Sequence, residues 1–555
     1  MEFLHLDRPI WRVLIPMIIR ITLPAYGALL AVGSLLHAQE LPPRQKLGTV
    51  SFATSCTAAA QPVFNRAVSL LHSFEFRYAI EGFGQTLKTD PTCGIAHWGI
   101  ALSAWGNPFA PGIKPEKQIQ AGLDAVKRAR ATGSRTQREK DYVAAVSLLY
   151  ENASTSDQLT RLAAYRDAMS ALAARYPDDV EAQVFHALAV ALSADPADKT
   201  YVNQLKAGSI LESLVRKYPD HPGLAHYIIH SYDVPQLASR ALNAAHSYST
   251  IAPSIPHALH MPSHAYTRVG AWQESIDGNL ASKVAAKRDL SGAEELHASD
   301  YMMYAYLQTG QDRAARALLA SVPDIVTRFD PTRPSSAAPP MAGYFAIASM
   351  PARYALERGA WRDASNLAVK KSPFPFADAN THFARALGAA RTGDTTIARS
   401  AIAELERIRD ELTRQNEKYW TEQTEIQIRG ASAWLALAQG RKDEALATMR
   451  EAAKREDATE KSAVTPGPIA PARELLGEML LELNQPAAAL TEFERTLKIE
   501  PRRFRSVAGA ARAATAAGNR ATARTYYAQL VRIASRGDKP GRTELVTARR
   551  IVSAP

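Results

Sequence analysis

Seven times between residues 270 and 523 a turn residue is followed five positions later by a small one: Gly270/Ser275, Gly310/Ala315, Gly359/Ala364, Gly393/Ala398, Gly440/Ala445, Asn484/Ala489 and Gly518/Ala523. Glycine and asparagine accept the left-handed backbone that ends a helix. A small residue one turn into the next helix lets the two helices of a hairpin approach closely. The turns recur every 34 to 49 residues, which commits the chain to a row of helix hairpins, each burying its apolar face against its neighbours. After about Gln61 the apolar residues recur at helical spacing, and no run alternates as a strand would. The clearest unit carries Leu476, Gly477, Leu480, Ala489, Phe493 and Pro501. Ala523 and Tyr527 stand 34 residues beyond Ala489 and Phe493, and Leu70, Ala79, Phe83 and Pro91 repeat the spacing near the N-terminus.

These spacings resemble the tetratricopeptide-repeat (TPR) family, whose 34-residue unit reads L-G-x2-Y, then A-x3-F, then P. The resemblance implies an all-α, right-handed TPR-like solenoid of stacked hairpins whose first helices line a concave groove. Three Pro- or Ser-rich stretches interrupt the array: Asn107 to Pro115, Asp324 to Pro340, and Lys454 to Pro471. The second is expected to separate two subarrays. The expected organisation is a signal peptide (1–38), an N-terminal extension (39–59), a histidine-rich array (60–322), a loop (323–341), a second array (342–536) and a basic tail (537–555). A narrower resemblance rests on the ordered strings LGTVSFATSC, FNRAVSLLHSF, DPTCGIAHWGIALS, HYIIHSYDVP, APSIPHALHMPSHAYTRVGAW and HASDYMMYAYLQTGQ, from Leu47 to about Gln311. They look like a group of exported bacterial TPR proteins. That resemblance implies that the histidine blocks belong to the group's design, and it brings no reaction with it.

The first forty residues read as an address. From Met17 the chain has Arg20, an apolar run from Ile21 to Leu36, and the small residue Ala38, the order of a secretory signal starting at Met17 and cut near Ala38. Pro24 and Gly27 interrupt a run already short for a membrane span, so after cleavage the chain is expected not to span a membrane. An uncleaved signal anchor is the alternative. The expected location is periplasmic or secreted, an oxidising setting in which Cys56 and Cys93, the two cysteines of the chain, are a candidate disulfide. Of the net charge of +11, the segment Pro501 to Pro555 holds +10, from twelve basic and two acidic residues. The first 500 residues balance to +1, which argues against nucleic acid as a partner. The basic end is expected to cap the last repeat or to touch an anionic surface.

Eight of the fourteen histidines lie between His221 and His297. His226, His230 and Asp233 share one helical face, and so do His257, His260 and His264. His226 to His260 and His230 to His264 are each 34 residues, one whole repeat. His257, His260 and His264 precede Gly270 by thirteen, ten and six residues, and His297, Asp300 and Tyr304 precede Gly310 by the same amounts. Equal offsets place these side chains in rows across neighbouring first helices, the face that lines the groove in the family. Imidazole with carboxylate suits Zn, Cu, Fe or Mn, so the candidate ligands are His226, His230, Asp233, His257, His260, His264, His297 and Asp300, with Tyr304 lining the groove. Pro262, inside this stretch, is expected to kink the helix and turn His257 and His260 relative to His264. His72, His186, His221, His246 and His382 read as ordinary packed histidines, and Tyr301 as a core aromatic.

No GxSxG, HExxH, GxxxxGK[ST] or GxGxxG stands in the chain. The favoured reading is an exported scaffold that holds a protein or peptide partner in its groove, with a His/Asp metal site there. The alternative is a metal-dependent enzyme, hydrolytic or oxidative, built on the same histidines.

Overall fold

The computed structural model describes residues 46–332 and 337–554, all within one compact unit. The signal segment, 1–38, lies outside the described residues. Among those residues the chain is α-helical, with one short 3-10 turn and no strand. All seven turn residues of the repeat have positive φ, from 57° at Asn484 to 83° at Gly393. The small residues five positions on are buried at every turn, six of them with 0% exposure and Ala523 with 5%. The local code therefore sets the hairpins. Phe493 shows how tightly they stack, because a Cβ added at Gly477 or Gly509 would come within 2.9 or 2.4 Å of its ring.

First helices stack on first helices. Gly292–Gln308, Pro340–Leu356, Pro375–Thr392, Lys418–Ala438, Ala472–Glu482 and Phe504–Ala516 each pack on the next in that order, with a second helix behind each pair. The packing of Gly292–Gln308 on Pro340–Leu356 runs across the Pro/Ser-rich segment. No described helix is long and apolar enough to cross a membrane.

The array also curls back on itself. The helix Phe504–Ala516 touches Gly292–Gln308, the Phe504 backbone N–H donates to Gln308 Oε1 at 2.9 Å, and Trp272 donates to the Arg502 carbonyl at 3.0 Å. Arg503, with no exposed surface, donates to both oxygens of Glu474 and lies 2.6 Å from Glu357 Oε1. The segment read as a basic tail contains a helix, Thr543–Ser553, and Arg542 pairs with Asp312 at 2.6 Å. Arg503, Arg505 and Arg542 are thus committed to internal ion pairs, which leaves any anionic contact to the outer arginines.

At the other end Cys56 and Cys93 are bonded, with Cα atoms 4.9 Å apart. The bond clips the segment before Gln61–His72 to the turn after Phe76–Thr89. Closing 37 residues of chain restricts the unfolded state, so the Cys56→Ser/Cys93→Ser protein should lose about 2–4 kcal/mol of stability. Urea unfolding of that variant, compared with the oxidised parent, checks it.

Candidate metal centre

The in-register histidines come together, but inside the molecule. His226 and His260 have no exposed surface, His264 has 1% and His257 3%. The expectation of an open groove is corrected here, and the cause is the three loops that interrupt the array. In the first loop, Phe109 stacks on His230 with ring centroids 4.0 Å apart, and Asn107 donates to the Ala337 carbonyl of the second loop at 2.9 Å. In the third loop, Ala463 and Thr465 offer their carbonyls to the Tyr301 hydroxyl at 3.1 and 3.2 Å, and Lys461 reaches Asp233 Oδ2 at 3.2 Å. Stretches that look like punctuation in the sequence roof the histidine face.

Six imidazoles form two trios, His226/His230/His257 and His260/His264/His297, each with candidate ligand atoms within 4.8 Å of one another. Pro262 interrupts the helical hydrogen bonding, separating Pro256–His260 from Pro262–Val269, while Met261 keeps helical dihedrals. The partition falls between His257 and His260 rather than after His260, because His260 and His264, four residues apart, still share a face.

The hydrogen bonds around the rings fix their tautomers. Asn279 Nδ2 donates to the Ser275 carbonyl at 2.7 Å, so Asn279 Oδ1 is the atom that accepts from His260 Nδ1 at 2.7 Å. His264 Nδ1 donates to Asp233 Oδ2 at 2.8 Å. Burial opposes charge on Asp233, but Lys461, Arg268 and His264 hold its carboxyl well below the usual carboxylate range. Both Nδ1 atoms therefore carry the proton, and the two Nε2 lone pairs face each other at 3.1 Å. Two lone pairs at that distance repel unless a cation lies between them. A metal ion with imidazole bonds of about 2.0–2.1 Å separates adjacent ligand atoms by about 2.9–3.4 Å, which is the spacing found.

In the first trio one ring is fixed in the same way. His226 Nδ1 donates to the His72 carbonyl at 2.6 Å, which turns the bare Nε2 toward His257 Nε2 at 3.0 Å. His230 Nε2, His257 Nδ1 and His297 Nδ1 are buried without a hydrogen-bond partner, an arrangement that calls for an explanation in any folded chain. Burial lowers the basicity of all six rings, bringing His226 and His297 down to about 3. The rings are held neutral, which is the form that binds metal.

The carboxylates of the candidate set act at one remove. Asp233 orients His264 and is itself held by Arg268 at 2.9 Å. Asp300 stands apart from both trios and accepts from Arg353 Nε at 3.1 Å. Tyr304 donates to Glu500 at 2.8 Å and accepts from Arg503 at 2.9 Å. It lines a cleft of about 1120 Å3, open mouth included, with Lys199, Arg268, Tyr419, Glu456 and Lys461. This cleft runs beside Asp233, one hydrogen bond from His264.

A third cluster, His72, Glu181 and His221, falls among histidines that the sequence reading treats as ordinary. Glu181 accepts from His72 Nε2 at 2.7 Å and from His221 Nε2 at 2.9 Å. His72 Nδ1 meets the Tyr227 hydroxyl at 3.1 Å, and His221 Nδ1 accepts from the Leu224 N–H at 3.3 Å. Every ring nitrogen and both carboxylate oxygens are used, so this cluster is a closed structural node. The backbone carbonyl of its His72 orients His226. His186, His246 and His382 belong to none of the three groups. Asn279, Arg268 and Lys461, which position the centre, carry no repeat signature that would single them out in the sequence.

No family model matches the chain, and no curated protein matches it. Among solved structures it is similar to the human IFIT1 dimer with PPP-AAAA, at 12% identity over 80% of this chain and 91% of that one, with a TM-score of 0.38. The human IFIT1 dimer with m7Gppp-AAAA gives 11% identity over 80% and 90%, with a TM-score of 0.36. The functional reading of this chain therefore rests on its own geometry.

Proposed function

We propose that this chain is an exported helical-repeat protein that holds a divalent transition metal on buried imidazoles, with the adjoining cleft as the seat of its partner or substrate. One observation carries the reading: the bare Nε2 atoms of His260 and His264 face each other at 3.1 Å, with both Nδ1 protons fixed by Asn279 and Asp233. Imidazole ligands backed by amide and carboxylate acceptors are the usual outer support of a metal site. Zinc, copper and iron suit an imidazole set, whereas manganese prefers carboxylate. The Cys56–Cys93 bond supports export, since such bonds persist in oxidising compartments. A protein or peptide in the cleft, or a substrate acted on by the metal, remains open to the same centre through Arg268 and Lys461.

Elemental analysis of the native protein and calorimetric titration of the chelator-stripped protein with Zn(II) and Cu(II) test the reading. The expected result is tight uptake, weakened about 10–100-fold in Asn279→Leu, which removes the acceptor that orients His260. The helical circular-dichroism signal should survive the substitution. A native protein that carries no metal and takes up none overturns the reading.

A further inference from the structure

The two trios are neighbours. The His230 and His264 rings lie 6.0 Å apart, and the His257 and His260 rings 6.1 Å apart, centroid to centroid. Each trio offers three imidazoles, a His-x3-His pair on one helical face plus one more ring, and three is the number that leaves an ion a free coordination position. Resting on the metal reading above, we infer that the trios form one paired centre in which two copper ions, three imidazoles each, take up dioxygen between them.

The surrounding carboxylates decide between chemistries. A pair of ions that hydrolyses its substrate is helped by a free carboxylate that takes the proton from bound water. Of the two acids in the candidate set, Asp233 is committed to His264, Arg268 and Lys461, and Asp300 accepts from Arg353 through Oδ1 and belongs to neither trio. What remains facing the ions is neutral imidazole, with the rings of Phe74 and Phe109 against the His230 side at 5.7 and 4.0 Å. A neutral nitrogen set, with aromatic rings on the His230 side, favours the singly charged ion over a doubly charged one, because less charge is buried. Copper is the first-row metal that offers that state, and its divalent form binds nitrogen sites most tightly of the series. The step balances without a proton: each of two Cu(I) ions gives one electron, and dioxygen gains both and becomes a peroxide bridging two Cu(II) ions. Two thiols then give one electron and one proton each and leave as a disulfide, which returns the pair to Cu(I), and the peroxide departs with the two protons as hydrogen peroxide.

The test uses the full chain, stripped by chelator, loaded with Cu(I) under nitrogen and then exposed to air. The expected results are two coppers per chain, one dioxygen consumed per two coppers, and little electron paramagnetic resonance, because bridged cupric spins couple. His230→Ala removes a ring whose Nε2 makes no hydrogen bond. It should keep one copper in the other trio, stop consuming dioxygen when loaded with Cu(I), and give full resonance when that single ion is loaded as Cu(II), and His297→Ala should do the same from the opposite side. One copper per chain in the parent overturns the pairing while leaving the metal reading intact. Two coppers that consume no dioxygen, or that give full, uncoupled resonance once oxidised, also overturn it. A chain that binds no metal overturns both readings.

Discussion

Glu181→Ala is expected to lower the unfolding free energy by about 2–6 kcal/mol, because it leaves two buried imidazole donors without an acceptor at about 1–3 kcal/mol each. Glu181 is 1% exposed, and each of its oxygens is the sole acceptor for an imidazole N–H, from His72 and from His221. Burial disfavours its charge, but the two imidazoles outweigh burial and hold its carboxyl far below the usual range. Truncation strands two buried donors. His221 does not simply reverse its tautomer, because its Nδ1 already accepts from Leu224. His72 has more freedom, since its Nδ1 meets a hydroxyl that can either donate or accept. Glu181→Gln should therefore recover part of the loss, with the amide donating to a reversed His72 and accepting from His221. Urea unfolding followed by circular dichroism checks both variants. An alanine variant within 1 kcal/mol of the parent would show that the node bears no structural weight. The same variant should weaken metal uptake, because the His72 carbonyl that aims His226 belongs to the disturbed segment.

Acid should destabilise the metal-free protein early. Burial brings His226 and His297 down to about 3 in the folded chain, whereas an unfolded histidine titrates near 6.5. Below 6.5 the unfolded chain takes up protons that the folded chain refuses, so the stability present above that pH is lost as pH falls. At pH 5 both rings are still neutral when folded, and each then costs about 2 kcal/mol relative to pH 7. The two together give about 4 kcal/mol. Thermal unfolding of the stripped protein at pH 7, 6 and 5 should show this slope. Metal at about 100 times its dissociation constant should add back about 2.7 kcal/mol. A stripped protein equally stable at pH 7 and pH 5 would mean that those rings reach solvent and protonate in place.

The turns and hairpins were legible because they are local. A left-handed glycine followed by a small residue five positions later needs only its own helices, and all seven turns have the backbone that this demands. The rows of histidines were legible for the same reason, since a shared face and a one-repeat offset survive any curvature of the array. Their depth was not. Whether a face lines a groove or a core depends on what crosses it, and here that is Phe109, Ala337 and Lys461, from three loops without helical pattern.

By itself, then, the sequence determined the elements, their repeat, and which imidazoles stand at equivalent positions. Only the tertiary structure decided that these histidines divide into two buried trios, that Asp233 and Asn279 orient them, and that Asp300 is diverted to Arg353. It also joined His72, Glu181 and His221 into a node across more than a hundred residues. The physical reason is range. Periodicity encodes direction around one helix axis, whereas a ligand set depends on the distance between helices, and the whole array's packing sets that distance.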